Sequence, residues 1–351
     1  MTQQGLDIPI RSQEIARPTT ARKMPSRSPL AGIRRGSAMI AVPAAAGIAL
    51  LSHYQLADHA LSPVTHSYPT LLASVLIAGL FALVVQLFWP RLRDWLQNAA
   101  PLLAAAILAL AGWEIITLKA ALLPIMYFPP PELVLQTLLD DHLPENHYML
   151  VQSTWSSLNL LLRGYAVGVI CGLISGVTIG WSARARYWGM PILKIVGPIP
   201  ATAWIPMALV IFPRSGLSGI ALIALTVWFP VTMLTASGVS NTRASYLDVA
   251  RTLGAGRAYL IFRVAIPAAM PSIFIGLFMG LGASFLTLLV AESTGVRSGL
   301  GWYIDWARNY SDYTKVFAAL VIMALFFSTI MTLLFKVRDR ILVWQKGVIK
   351  W

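Results

Sequence analysis

Eight stretches of roughly twenty mostly apolar residues follow one another along this chain, separated by short polar or charged segments. They fall near 37–56, 70–89, 99–118, 160–181, 191–212, 217–238, 268–291 and 317–335. A helix of about 20 apolar residues is long enough to cross the hydrocarbon core of a bilayer. The pattern therefore predicts an all-α, polytopic membrane protein with about eight transmembrane helices. The first stretch is the weakest, diluted by Pro43 and several alanines.

Three of the stretches carry internal punctuation. The fourth places Gly164, Gly168, Gly172, Gly176 and Gly180 at four-residue intervals, and the seventh repeats the spacing with Gly276 and Gly280. That spacing puts the glycines on one helical face, where a neighbouring backbone can approach closely. Such a stripe serves helix packing, which does not exclude helices that slide or rotate during transport. The fifth stretch is interrupted by Pro198, Pro200 and Pro206, and proline breaks the helical hydrogen-bond ladder. Irregular backbone at membrane depth persists only where protein or a water-filled cavity covers it. Pro200, Ala201, Thr202, Trp204 and Pro206 are therefore candidates for a translocation path, with Thr226 and Thr232 of the sixth stretch. A kinked but purely structural helix is the other reading.

Composition agrees with the pattern. Apolar residues make up 57% of the 351 and charged residues 12%, against about a quarter charged in soluble domains; the mean hydropathy is +0.69. The net charge of +13 does not point to nucleic acid, because the basic residues track the ends of the apolar stretches. With the N-terminus inside, twenty Lys and Arg fall in cytoplasmic segments and five (Lys119, Arg214, Arg297, Arg308 and Lys315) outside. The positive-inside rule then places both termini and the segment 243–267 in the cytoplasm. Residues 1–36, polar and basic, read as a disordered cytoplasmic tail, and residues 346–351 as a short cytoplasmic tail.

Outside, residues 125–159 look structured. Pro129, Pro130 and Pro131 form a rigid entry, followed by an amphipathic stretch and an acidic patch, Asp140, Asp141 and Glu145. Glu292 closes the seventh stretch just before Gly299 and Gly301. An acid at a helix C-terminus opposes the macrodipole, so a local partner is expected: backbone amides of the glycine loop, or Arg297. Glu114 and Lys119 are ionisable groups in or near the membrane, expected to face the bundle interior or snorkel. The single cysteine, Cys171, reads as a small buried residue. No G-x-x-x-x-G-K-[ST] phosphate loop is present in the sequence, so ATP and Mg are not expected to bind this chain. The five histidines lack metal-ligand spacing, and no catalytic or metal-binding residues are assigned.

The segment between the sixth and seventh stretches is the most telling. Asp248 is followed by Ala250, by Gly254 six positions after the acid, and then by Val264, Ile266 and Pro267. This spacing resembles the EAA signature in the membrane subunits of ABC importers. The stretch from Pro200 through Ala203, Trp204, Ile205 and Pro206 resembles that of the nitrate/sulfonate/taurine/bicarbonate branch, as do Trp228–Thr232, Ala291–Glu292 and Ser298–Gly301.

The resemblance implies a type I importer fold with a six-helix core over residues 99–345, preceded by two additional helices in 37–98. It implies a non-catalytic permease of the bacterial inner membrane, paired with a second copy. A cytoplasmic ATPase dimer, carrying the ATP and Mg, and an extracytoplasmic binding protein complete the system. The solute would be small and anionic. Leu247, Asp248, Ala250, Arg251, Gly254, Ile266 and Pro267 would form the ATPase-coupling segment, with Leu247, Ala250 and Gly254 on one small apolar face and Arg251 and Arg257 on the other. An ion- or proton-driven carrier and a membrane-embedded assembly factor are the alternatives.

Overall fold

The structure is a computed structural model that describes residues 29–57, 66–86, 88–140, 149–212 and 214–345. Most of the expected N-terminal tail, the C-terminal tail and the acids Asp141 and Glu145 lie outside the described residues. Among those described there are helices and turns and no strand. In order they are α1 (Pro29–Gln55), α2 (Ser67–Val85), α3 (Pro90–Glu114), which runs into a π-turn (Ile115–Lys119), α4 (Pro131–Asp140), α5 (Met149–Trp181) and α6 (Ala183–Val196). A 3₁₀ turn (Ala201–Trp204) leads into α7 (Ile205–Ile211), then α8 (Ser215–Ser240), α9 (Ala244–Thr252) and α10 (Arg257–Tyr259). A π-turn (Leu260–Ala265) joins α10 to α11 (Ile266–Thr294), followed by α12 (Leu300–Asn309) and α13 (Tyr313–Ile341).

Six helical segments among the described residues are long and apolar enough to span a membrane, and the bent pair α6–α7 would be a seventh. The expected fifth span is that pair, turned through 89° at the prolines. The expected first span falls on α1, whose side chains are described only from Ile40 onward.

The described residues divide into two compact units, one drawn from within 1–49 and 73–108, the other from within 50–72 and 109–351. In the first, Gly79 of α2 lets α1 come close: a Cβ there would lie 3.4 Å from Pro43 Cδ.

The second unit is built around α8, clasped between α5 and α11. A Cβ added at Gly164, Gly168, Gly172, Gly176 or Gly180 of α5 would stand 2.6–2.8 Å from the Cβ of Ile223, Val227, Val231, Thr235 or Val239 in turn. Those five α8 residues also recur every four positions, and all are β-branched. A stiff ridge thus lies in a glycine groove. On the other side, Gly276 of α11 meets the backbone of Val231, and Gly280 meets Val227. Val227 and Val231 are consequently fully buried. Tyr165 adds a tie, donating from its hydroxyl to the Leu277 carbonyl at 2.9 Å.

A polar cluster and an apolar one tie further parts of this unit together. His53 Nδ1 lies 2.6 Å from Glu114 Oε1, and Lys119 Nζ donates to the carbonyls of His53 at 2.7 Å and Leu56 at 2.9 Å. Glu114 is 1% exposed and sits where α3 gives way to its π-turn. Elsewhere, Val134, Leu150, Leu300, Tyr303, Ala318 and Met323 form an apolar cluster that joins α4, α12 and the first turns of α5 and α13. Cys171, against expectation, is exposed. It stands on α5 beside Ile170 and Ile174, both also exposed.

Candidate functional site

Helix α9 is short because its sequence ends it. Gly254 adopts φ +84°, a left-handed conformation open to glycine without a Cβ penalty. Ala255 N donates to Ala250 O at 3.0 Å and Gly254 N to Arg251 O at 2.9 Å, the paired bonds of a Schellman cap. The expected coupling residues divide around this helix. Ala250 and Gly254 line a groove of about 550 Å³ with Tyr246, Val249, Leu253 and Arg263. Leu247 faces a separate cavity, shared with Arg251 and Arg257. Arg251 also pairs with Asp248 at 2.9 Å on the surface.

The outward apolar stripe is Tyr246, Val249 and Leu253, which are 52%, 61% and 82% exposed. The sequence reading missed these three. Periodicity offers several apolar stripes, and only the packing of the rest of the chain decides which one stays uncovered. Ile266 and Pro267 open α11, where Pro267 occupies the first turn; a missing amide costs nothing at that position.

The break between α6 and α7 encloses a cavity of about 290 Å³. Pro200, Ala201 and Trp204 line it from the broken segment, Thr226 and Phe229 from α8, and Met279 and Ala283 from α11. Thr226 Oγ1 donates to Leu222 O at 2.8 Å and lies 3.0 Å from Thr287 Oγ1. Among the described residues, no charged side chain is in the wall. Gly197 is required at the elbow, because a Cβ there would collide with the ring of Phe229. Of the other expected path residues, Thr202 and Pro206 are exposed and outside the cavity wall. Thr232 is fully buried, within 2.8 Å of Ser175 Oγ on α5; Trp228 Nε1 donates to the same hydroxyl at 3.0 Å.

Glu292, 1% exposed, closes the opposite end of α11 from the π-turn. Its carboxylate accepts from Ser157 Oγ at 2.7 Å and from Gly301 N at 2.8 Å, while Ser157 Oγ accepts from Leu300 N at 2.8 Å. An acid and a hydroxyl thus satisfy the first amides of α12, where negative charge is favoured. The glycine-loop amides are the partner; Arg297 is exposed. Gly299, at φ +102°, leaves the space the carboxylate fills.

Comparison with known proteins places these features. Residues 168–342 match the family described as "Binding-protein-dependent transport system inner membrane component". The chain is 30% identical over 239 residues to the taurine transport system permease protein TauC of Escherichia coli (strain K12), covering 68% of this chain and 85% of that one. It is 37% identical over 161 residues to the putative aliphatic sulfonates transport permease protein SsuC of Bacillus subtilis (strain 168), covering 46% and 58%. The nitrate import permease protein NrtB of Leptolyngbya laminosa is 32% identical over 170 residues, 48% of this chain and 61% of that one. Among solved structures, a chain of the inward-facing MetNI methionine ABC transporter matches with 17% identity and a TM-score of 0.49, covering 57% of this chain and 99% of that one. This chain belongs to the binding-protein-dependent inner membrane components, as a multi-pass ABC importer permease of the nitrate/sulfonate/taurine branch.

Proposed function

We propose that this permease carries a small anionic solute, of the sulfonate, taurine, nitrate or bicarbonate type, through the cavity at the α6–α7 elbow. A soluble binding protein delivers the solute from outside. A separate ATPase dimer, which holds the ATP and Mg, docks on α9 in the cytoplasm, and a second copy of the permease completes the path. The chain itself supplies no catalysis. The names of its relatives support the solute class, and the distribution of Lys and Arg supports the cytoplasmic placement of α9 and both termini.

The observation that carries this reading is the exposed apolar stripe Tyr246, Val249 and Leu253 on a capped helix of nine residues. Large apolar side chains left in water on one face of a short helix suit a groove on a partner. The hydroxyl of Thr226 in a wall without charge suits passage of an anion better than a fixed acid would.

The test is co-purification. Wild-type permease, expressed with its ATPase, should retain the ATPase through purification. Val249→Asp and Leu253→Asp should lose it while remaining inserted in the membrane, because each puts a charge into a desolvated contact. Retention of the ATPase by both variants would refute α9 as the docking element.

A further inference from the structure

A second cavity, of about 560 Å³, lies between the last turns of α5 and α8, the start of α6, and α9 and α10. Arg186, Arg251 and Arg257 line it together with Ser240, Thr242 and Trp181, and among the described residues no acidic side chain is in its wall. Arg186 is fixed in place: Nη2 donates to Gly180 O at 2.6 Å and Nε to Ile179 O at 3.3 Å, capping the last turn of α5. Arg251 shares its charge with Asp248. Arg257 has no ion pair among the described residues. One carboxylate against three guanidinium groups leaves the cavity positive.

Its depth is set by the helices. The segments Met149–Trp181 and Ser215–Ser240, 33 and 26 residues long, both end at its wall; each is longer than the ~30 Å hydrocarbon core, so the wall lies on the headgroup side of the hydrocarbon. Tryptophan is enriched at that level. Basic pockets between spanning helices are suited to lipid phosphates, and arginine forks match phosphate oxygens.

We propose that this cavity binds the phosphate group of an anionic phospholipid. The bound headgroup bridges the end of α5, through Arg186, to the turn after α9, through Arg257. It thereby braces the coupling helix from behind while the Tyr246–Leu253 stripe faces outward. The bilayer supplies the phosphate at the right depth; free phosphate is the other source of the same chemistry.

The test uses full-length permease in neutral detergent, titrated with phosphatidylglycerol or phosphatidylcholine, with bound lipid read by native mass spectrometry. Phosphatidylglycerol should be retained and phosphatidylcholine not. At about 1 kcal/mol for each basic residue near the surface, Arg257→Gln should weaken binding roughly fivefold. Arg186→Gln should add a similar loss, Arg257→Lys should recover most of the affinity, and Arg340→Gln, outside the cavity, should change nothing. Equal retention of both lipids, an unaffected Arg257→Gln, or an equal loss in Arg340→Gln would overturn the site. Displacement of the lipid by inorganic phosphate at the same concentration would overturn the bilayer as its source. Displacement by the docked ATPase would replace the lipid with an acidic protein side chain.

Discussion

Gly254 concentrates two demands in one residue: it must hold a left-handed turn, and it borders the groove beside the α9 stripe. Among the described residues nothing lies within 4 Å of where its Cβ would be, so there a larger residue meets backbone strain rather than a clash. A left-handed conformation costs an L-residue about 1–2 kcal/mol, and a β-branched residue is especially ill suited to it. Gly254→Val should therefore fray the end of α9 and weaken ATPase association roughly tenfold, with little change in the melting temperature of the permease. Gly254→Asn should keep most of the association, because asparagine tolerates this turn. The pair separates a backbone requirement from a volume requirement in one co-purification experiment. Equal association of both variants with wild type would remove the cap from the coupling mechanism. The glycine itself was legible in the sequence, through its register with Asp248 and Pro267. The three residues that point outward were not, because exposure depends on what the remainder of the chain covers.

At the scale of elements, the glycine stripe of α5 is a groove for the β-branched ridge of α8. Five matched contacts along the two helices leave no slack for an additional methyl group. Overpacking a well-filled contact costs about 1–3 kcal/mol, so Gly172→Ala should lower the melting temperature in detergent. Gly282→Ala on α11, where nothing lies within 4 Å, should leave it unchanged or raise it slightly, since alanine is the better helix former. Equal melting temperatures would mean that α5 and α8 separate readily, and would favour sliding over fixed packing. The stripe and the elbow were both readable, because glycine at four-residue spacing and prolines in an apolar run leave local signals. Thr232 was not, since its turn toward Ser175 depends on which face of α8 meets α5.

At the scale of the whole molecule, the sequence shows eight apolar stretches and a family core over the last six. The bond between His53 and Glu114 spans 61 positions and has no local signal at all. It ties the end of α1 to the end of α3, both within the larger unit. A buried acceptor that loses its donor costs about 1–3 kcal/mol. His53→Ala should therefore lower the melting temperature, and His53→Gln, which can still donate, should recover part of the loss; an unchanged His53→Ala would mean that the bond contributes nothing.

The central claim joins α9 to the elbow: work done by an ATPase at the coupling helix changes access to the cavity beside Pro200. Ala201→Cys in a Cys171→Ser background places one thiol on that wall. In the complex assembled with its ATPase, a small water-soluble thiol reagent should label this cysteine at a rate that changes several-fold on adding ATP and Mg. The change should vanish when Val249→Asp is introduced. A labelling rate indifferent to ATP in the intact complex would contradict the account.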